Sequence, residues 1–244
     1  IYKAHQCLRL LEKGGRSRMQ QLISKLFEHS YTEWHRSCPK TNTILDLFWT
    51  HPTFLKLIHA FPHIFIMDCT YNTNRYRMLL LEIVGVTSTY MTFFVGFVYL
   101  SMEQEDNYVW ALSIWWGLMD GIVMPDFIVT DREMTLLRAI ELIFGTSKHL
   151  LCRWHINKNV LAKFKKLFKS KEDLNRFLEK WNTMVAFSTE VNFIRQTRQL
   201  CNEFSMYQKM LQYVIDTWLN LYKERFVAAW IDKFMHFGNT TSNR

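Results

Sequence analysis

The 244-residue sequence predicts an α/β fold: a mixed sheet flanked by helices, with an all-helical segment after the last strand. Three observations support this. Strand-length runs rich in Val, Ile, Phe and Thr follow one another, and helix and strand patterns alternate after them. Neither Pro nor Gly then occurs between Gly145 and Gly238, which favours continuous helices. The runs lie at residues 63–68, 77–87 and 90–101.

The first sixty residues read as helical with polar breaks. The stretch "RSRMQQLISKLFEHS" carries apolar residues at spacings of three and four, which is typical of an amphipathic helix. The stretch "TILDLFWTHPTFLKLIHAF" predicts two short helices, with Pro52 in the first turn of the second. We therefore predict a helical lead-in over residues 1–60.

The next hundred residues predict the sheet. Three strands joined by hairpins are followed by a helix, a strand, a second helix and a last strand, a sequence of elements that excludes a purely parallel sheet. Beyond them an all-helical segment is expected over residues 156–236. The four elements that follow the hairpins are predicted at residues 104–119, 126–130, 132–144 and 148–153.

Residues 78–100 approach the length of a membrane-spanning helix and carry a single charge. Glu82 and the polar residues 87–89 interrupt the run, so two strands joined by a turn explain it better. The N-terminus lacks the basic, apolar and small-residue pattern of a signal peptide. We therefore expect no membrane segment.

Composition narrows the class of protein. The chain is 49% hydrophobic with a net charge of +8, which suits a globular protein with a phosphate-rich partner. Its five cysteines are scattered and odd in number, which favours free thiols in a reducing compartment. The chain begins with Ile and ends with "HFGNTTSNR", so we expect it to be a piece of a longer protein.

Two carboxylates follow apolar strand patterns. Asp68 comes after "FPHIFIM", and Asp131 comes after "PDFIVT" and before a helix pattern. Residues at the carboxyl ends of buried strands converge at one edge of an open sheet, where active sites lie. Each residue also has a plain structural interpretation, Asp68 as a turn residue and Asp131 as a helix N-cap.

The functional alternative is that both carboxylates hold a divalent cation. Mg²⁺ prefers carboxylate oxygens and takes one or two of them together with water and substrate phosphate. Two such ions on either side of a phosphorus can activate the attacking oxygen and stabilise the leaving oxygen.

Cys152 and His155 in "LLCRWHINKN" form a Cys-x-x-His pair. Such a pair can be half of a zinc site, and His35 and Cys38 have matching spacing, although nothing in the sequence brings the two pairs together. A buried apolar cysteine beside a hydrogen-bonded histidine is the structural alternative. Nucleophilic Cys–His catalysis is disfavoured, because neighbouring positions give poor geometry.

Five blocks in order along residues 45–244 carry a family resemblance. They are "IMDCTYNTNRYRMLLLEIVGVT", "EQEDNYVWAL", "FIVTDREMTLLRAI", "LLCRWHINKNV" and "WIDKFMHFGNTTSNR". Together they resemble the catalytic domain of Mutator-like element (MULE) transposases, including relatives domesticated as far-red-impaired-response transcription factors. One departure is Leu79, where the family usually has Pro.

The resemblance implies a ribonuclease-H-like fold with a DDE triad, in which a helical insertion precedes the last acid. On the matching motifs Asp68 is the first acid and Asp131 the second, and Cys152 with His155 is the family signature. The third acid is a Glu shortly after the "GNTTSNR"-like block, and no Glu of this sequence can be assigned to it. The domains are then the lead-in, a catalytic core at 61–155, the insertion at 156–236 and a truncated return to the core at 237–244.

The implied function is metal-dependent DNA transposition. Water attacks a phosphodiester at the element end, and a DNA 3′-hydroxyl then attacks target DNA, with Asp68 and Asp131 holding two Mg²⁺ or Mn²⁺ ions and His155 contacting DNA or placing an acid. The expected partner is double-stranded DNA in the nucleus, with a homo-oligomer left open and no small-molecule substrate. The alternatives are a domesticated DNA-binding transcription regulator that has lost cleavage and a nuclease that does not join strands.

A basic helix follows His155 and is the candidate for DNA contact. Its structural alternative is a solvated helix face, which is the usual meaning of a charge run. The tryptophans at 154, 181, 218 and 230 are expected in the core of the helical segment and not on DNA bases. The candidate DNA-binding residues are Lys158, Lys163, Lys165, Lys166 and Lys169.

Overall fold

The computed structural model describes residues 15, 17–71, 73–120, 123–168 and 170–232, and these form a seven-stranded mixed sheet with helices on both sides. The predicted fold class, a mixed sheet flanked by helices, is thereby confirmed. The strands are β1 (Thr32–Ser37), β2 (Ile44–Thr50), β3 (Ile64–Thr70), β4 (Leu79–Val86), β5 (Thr92–Leu100), β6 (Phe127–Thr130) and β7 (Lys148–Leu151). Their order across the sheet is β1-β2-β5-β4-β3-β6-β7.

Helices precede, connect and follow the strands. The first five are α1 (Arg18–Glu28), α2 (Pro52–Ala60), α3 (Glu105–Leu118), α4 (Met134–Ile143) and α5 (Arg153–Phe164). They are followed by α6 (Lys171–Ala186), α7 (Glu190–Glu203), α8 (Gln208–Val214), α9 (Asn220–Tyr222) and α10 (Ala228–Ile231). A π-helical turn, Ile215–Leu219, joins α8 to α9.

The antiparallel half of the sheet contains β1, β2, β5, β4 and β3. The predicted hairpin is confirmed, because β4 and β5 pair along their length and turn at Tyr90, whose φ is 64°. Gly85 pairs with Phe93, whose ring occupies the space where a Cβ would stand. Within the described ranges no helix is long and apolar enough to cross a membrane.

The other half of the sheet is parallel. β6 pairs with β3, with Ile66 opposite Val129, and β7 pairs with β6. The connection from β5 to β6 contains α3, and the connection from β6 to β7 contains α4. Because parallel neighbours run in one direction, the carboxyl ends of β3, β6 and β7 lie at the same edge of the sheet.

The prediction of a helical lead-in with polar breaks over residues 1–60 is wrong for two segments, and residues 1–14 and 16 lie outside the described residues. The stretch 44–50 is strand β2, and residues 32–37 form β1 at the edge of the sheet. A short apolar run such as "ILDLFWT" fits a buried strand and a buried helix equally well, and pairing with β5 decides for the strand. α1 and α2 are confirmed, the latter with Pro52 in its first turn. The division of the chain into domains stays a prediction.

Buried Asp46 ties these two strands to the rest of the fold. Its Oδ2 accepts a 2.8 Å hydrogen bond from Arg36 Nε on β1. Its Oδ1 accepts bonds from the Ser101 backbone at 3.0 Å and from Asn107 Nδ2 on α3 at 2.8 Å. A buried charge is tolerated when it is paired and fully hydrogen-bonded, and Asp46 meets both conditions.

Three apolar clusters lie within the part of the chain that the structure describes. The largest lies between the sheet and α2, α3 and α4, and includes Phe65, Met67 and Trp115. A small cluster on the opposite face of the parallel strands contains Ile64, Ile66, Val129 and Cys152 and reaches Ile231 of α10. The third lies within residues 151–229 and gives the helical segment a core of its own. The predicted all-helical segment is confirmed through residue 231, and residues 233–244 lie outside the described residues.

Candidate active site

Asp68 and Asp131 lie side by side at the carboxyl edge of the parallel strands. Ile66 of β3 is opposite Val129 of β6, and extending this register by two residues brings Asp68 level with Asp131, which lies just past the end of β6. Side chains alternate between the faces of a sheet, so both carboxylates share the face of Ile66 and Val129. Neighbouring strands are about 4.8 Å apart, which is a suitable spacing for two carboxylates that share a cation.

β7 adds Cys152 and His155 to the same edge. The Cys152 backbone N–H donates to the Thr130 carbonyl at 2.8 Å, which places Cys152 beside Asp131. Cys152 is also the N-cap of α5, whose first turn carries His155. The His155 Nε2 lies 3.4 Å from Asp68 Oδ1. The sequence-predicted residues therefore meet, and their chemical roles stay predictions.

Asp68 is not the end of its strand. β3 continues to Thr70, and Asp68 pairs in register with Glu82 of β4, which corrects the expected strand end and the turn alternative. Glu82 is partly buried and stands on the same face as Asp68. The site thus has a third carboxylate next to the first, which the hairpin pattern alone could have indicated.

Asp131 is not a helix N-cap, which corrects the other structural alternative. The N-cap of α4 is Glu133, whose carboxylate accepts from the backbone N–H groups of Thr135 and Leu136. Asp131 Oδ1 instead accepts a 3.3 Å bond from the Glu133 backbone N–H. Burial raises the pKa of Asp131, and the charges of Asp68 and Glu133 raise it further, while His155 and the Glu133 bond lower it.

The pKa of His155 is raised above its ordinary value. Burial lowers this pKa, but hydrogen bonding by Cys152 and the negative charges of Cys152, Asp68 and Asp131 together outweigh burial. Nearby negative charges favour the protonated form of a histidine, which accounts for the direction of this shift.

The donor set at this edge fits Mg²⁺ better than zinc. Two adjacent carboxylates are the number that Mg²⁺ usually takes from a protein. No group of three or more His, Cys, Asp or Glu residues able to hold a metal occurs among the residues described. In the His35–Cys38 pair, the His35 Nδ1 lies 2.9 Å from Glu33 Oε2, within hydrogen-bond distance.

The basic run lies on α5 and just beyond it. Lys158, Lys163, Lys165 and Lys166 are all exposed, while Lys169 lies outside the described residues. The ammonium of Lys163 stands over the Tyr213 ring at 4.0 Å, and that of Lys158 over Trp154 at 4.7 Å. α5 begins at the carboxylate edge, so the lysines along it lie at increasing distance from the candidate site.

The tryptophan expectation is wrong for one residue. Trp181 and Trp218 are buried in the helical segment and Trp230 packs against them, as expected. Trp154 is 48% exposed, and its ring packs edge-on against His155 at 4.6 Å. An exposed aromatic ring therefore borders the candidate site.

Two residues beside Asp131 make long-range contacts that the sequence does not signal. Thr130 Oγ1 lies 2.8 Å from His149 Nε2, and His149 Nδ1 lies 3.1 Å from Arg225 Nη1. Burial, with a smaller effect of Arg225, lowers the pKa of His149 to about 3. Arg132 stands over the rings of Trp218 and Tyr222 at 4.8 and 5.6 Å.

The free-thiol prediction is confirmed for the four cysteines within the described part of the chain. They are Cys38, Cys69, Cys152 and Cys201. Cys69 Sγ lies 3.6 Å from the hydroxyl of Tyr108, and burial is the main cause that raises the pKa of this thiol. Cys7 falls outside the described residues.

The segment that builds this edge matches a known family. Residues 64–159 match the family described as the MULE transposase domain, which confirms the resemblance over these residues. The matched segment runs from the start of β3 into α5 and includes Asp68, Asp131, Cys152 and His155.

Curated relatives extend the likeness. Protein FAR1-RELATED SEQUENCE 5 of Arabidopsis thaliana is 28% identical over 123 residues, which cover 50% of this chain and 16% of that protein. Protein FAR-RED IMPAIRED RESPONSE 1 of the same plant is 22% identical over 200 residues, covering 82% of this chain and 23% of its own length. The chain thus spans less than a quarter of either relative. These matches support a transposase-derived protein.

A third relative has an unrelated printed activity. The PKS-NRPS hybrid synthetase cheA of Chaetomium globosum is 28% identical over 179 residues, or 69% of this chain. The match covers 4% of the synthetase, so it indicates a shared segment and carries no synthetase chemistry to this chain.

Proposed function

We propose that this chain is the catalytic domain, without the final Glu, of a DNA transposase that cleaves and joins DNA by metal-dependent phosphoryl transfer. The observation that carries the proposal is the level pair Asp68 and Asp131, adjacent and on one face at the carboxyl edge of parallel strands. In an open sheet this edge is where ligands bind. The match of residues 64–159 to the MULE transposase domain supports the same function.

The proposed fold is ribonuclease-H-like. Three antiparallel strands, β5, β4 and β3, are followed by two strands that join β3 in parallel, and the helical segment comes after β7. This is the organisation that the family resemblance implies, with the helical segment as the insertion.

Asp68 and Asp131 would hold Mg²⁺ or Mn²⁺, which supplies charge stabilisation for an attacking and a leaving oxygen. His155 contacts Asp68 and is partly buried, so we assign it the role of orienting that carboxylate. A residue that contacts a metal-binding side chain commonly fixes the orientation of that side chain.

DNA is the proposed partner, bound in part by the lysines of α5. Lys158, Lys163, Lys165 and Lys166 are exposed, and the chain carries a net charge of +8, which favours contact with phosphates. The exposed ring of Trp154 beside His155 offers a stacking surface at the site. Action on chromosomal DNA implies the nuclear location that the resemblance suggests.

Cleavage by the parent protein tests the catalytic proposal. We expect cleavage of element-end DNA with Mg²⁺ or Mn²⁺, and we expect Asp68→Asn and Asp131→Asn to abolish cleavage while DNA binding persists. Asp126→Asn is the matched control, because Asp126 is exposed and lies just before β6, at the opposite end from Asp131. Cleavage at the parental rate by either site variant would exclude the assigned acids.

A domesticated DNA-binding regulator is the second candidate. The observation that favours it is the likeness to FAR-RED IMPAIRED RESPONSE 1 across 82% of the chain. This candidate predicts DNA binding that neither Asp variant changes, together with no cleavage under any metal condition. The same cleavage and binding measurements therefore decide between the two functions.

A further inference from the structure

Asp131 sits in a short loop between two regular elements. β6 ends at Thr130 and α4 begins at Met134. The hydrogen bond from the Glu133 backbone to the Asp131 carboxylate is long, at 3.3 Å. A side chain with so weak a local bond depends for its position on the backbone that carries it, and thus on Thr130 and Arg132.

Arg132 is held by the helical segment. Its guanidinium carbon lies 4.8 Å from the centre of the Trp218 ring and 5.6 Å from that of Tyr222. Its Nη1 donates to the Thr217 carbonyl at 3.5 Å. Thr217 and Trp218 belong to the π-helical turn between α8 and α9. Such turns are rare within helices and frequently stand at functional sites.

Thr130 is held by the same segment through a directed chain of hydrogen bonds. Arg225 can only donate, so His149 Nδ1 accepts its 3.1 Å bond and carries no proton. The ring proton is then on Nε2, which donates to Thr130 Oγ1 at 2.8 Å. The Thr130 hydroxyl donates in turn to the Asp131 carbonyl at 2.6 Å.

Both chain neighbours of Asp131 are therefore held by residues 217–225, which lie far from it in sequence. Arg132 contacts them directly, and Thr130 contacts them through His149. We propose that the helical segment sets the position of the Asp131 carboxylate through Arg132 and the Thr130–His149–Arg225 chain, so that Arg132, Thr130 and His149 are positioning residues for metal binding. The proposal rests on the proposed function, because it concerns the same carboxylate pair.

One hydrogen bond reports directly on whether these contacts hold the Asp131 carboxylate in place. The Glu133 backbone N–H is bonded to the Asp131 carboxylate, so its hydrogen exchange follows the position of that side chain without any metal. Mn²⁺ affinity, measured by electron paramagnetic resonance of free Mn²⁺, reports the same position when the metal alone is added.

Two variants weaken the contacts of Arg132 and of Thr130 separately. Arg132→Lys keeps the charge and loses the planar group that stacks on the rings, and Thr130→Val keeps the shape and loses the hydroxyl donor. Arg138→Lys is the first control, since Arg138 is exposed on α4. Thr50→Val is the second, since Thr50 is a buried threonine whose hydroxyl donates to the Val95 carbonyl on another part of the sheet.

We expect both site variants to speed exchange at Glu133 by about tenfold. We also expect them to weaken Mn²⁺ binding about tenfold, as changes behind a metal ligand commonly do. Both controls should keep the parental values in both measurements.

Unchanged exchange in both site variants would overturn the proposal. Faster exchange with parental Mn²⁺ affinity would also overturn it, because the contacts would then be structural only. If the parental chain itself fails to bind Mn²⁺, the proposed metal site is wrong, and exchange at Glu133 still decides whether the helical segment positions Asp131.

Discussion

His155 and Asp68 meet with 3.4 Å between Nε2 and Oδ1, although one lies in the first turn of α5 and the other within β3. The contact joins the helix that follows β7, the edge strand, to β3, the strand at which the antiparallel and parallel halves of the sheet meet. It also places a histidine with a raised pKa at the carboxylate pair. His155 and Asp68, which lie far apart in sequence, are therefore in direct contact in the fold.

Replacing this histidine should affect turnover more than DNA affinity. We expect His155→Asn to lower the DNA cleavage rate of the parent protein about 10- to 100-fold, because Asp68 loses the group that orients it. The measurements are single-turnover cleavage and equilibrium DNA binding. His29→Asn, at the exposed end of α1, is the control. An equal loss of DNA affinity would show that His155 acts mainly in binding.

The buried ion pair at Asp46 should matter far more than a surface pair. We expect Asp46→Asn to lower the free energy of unfolding by about 3 kcal/mol, because Arg36 keeps its charge in a half-buried place without a counter-ion. Glu28→Gln breaks the exposed Lys25–Glu28 pair and should cost less than about 0.5 kcal/mol. Urea unfolding measures both. Equal losses would contradict the burial argument.

A methyl group at Gly85 should not fit into the fold. A Cβ at this position would overlap the Phe93 ring, so Gly85→Ala should destabilise the fold by about 1–3 kcal/mol. Gly117 on α3 has open space where a methyl group would stand, with nothing within 4 Å, and Gly117→Ala should stabilise by about 0.5 kcal/mol. Thermal unfolding of the two variants should therefore move in opposite directions. A parental melting temperature for Gly85→Ala would mean that the Phe93 ring moves aside freely.

The neutral His149 should make stability depend on pH. Its folded pKa of about 3 lies below its ordinary value of 6.5, so between these values the unfolded chain binds more protons. The stabilisation is present above pH 6.5 and is lost as pH falls toward 3. We expect His149→Gln to flatten the pH dependence of the urea midpoint in this window. Parallel curves for the two proteins would contradict the neutral ring.

The cysteines should differ in reactivity. The Thr41 hydroxyl is the main cause that lowers the pKa of Cys38, whereas burial raises that of Cys69, and Cys152 is buried. We expect iodoacetamide at neutral pH to label Cys38 at least about tenfold faster than either. Peptide mass spectrometry follows the labelling, and labelling in urea is the control that should remove the difference. Early modification of Cys69 in the folded protein would show that the thiol is accessible.

The parts of the sheet that depend on short-range sequence patterns could be predicted. The hairpin of β4 and β5 and the alternation from α3 to β7 follow from apolar runs, turns and their spacing, and the structure agrees within a few residues. β1 and β2 could not, because "TEWHRS" is polar and "ILDLFWT" is equally suited to a helix. β2 is a strand because it pairs with β5, and β1 is a strand because it pairs with β2, to which Arg36 of β1 also bonds through Asp46.

The site was predictable in part for the same reason. Strand patterns place Asp68 and Asp131 at one edge, since parallel neighbours end together. The contacts of Arg132 and His149 with residues 217–225 depend on how the helical segment folds back on the sheet. No spacing in the sequence encodes that return, so these residues emerge only in three dimensions.

The parallel pairing of β3 with β6 has a consequence for how the protein is made. The β3–β4–β5 meander can form from adjacent segments, but Asp131 reaches Asp68 only after α3 has been synthesised and β6 has docked beside β3. Contacts between distant segments form slowly, because the chain must first close a long loop. We therefore expect a nascent chain to form the meander, with Asp68 beside Glu82, before the Asp68–Asp131 pair comes together late in folding.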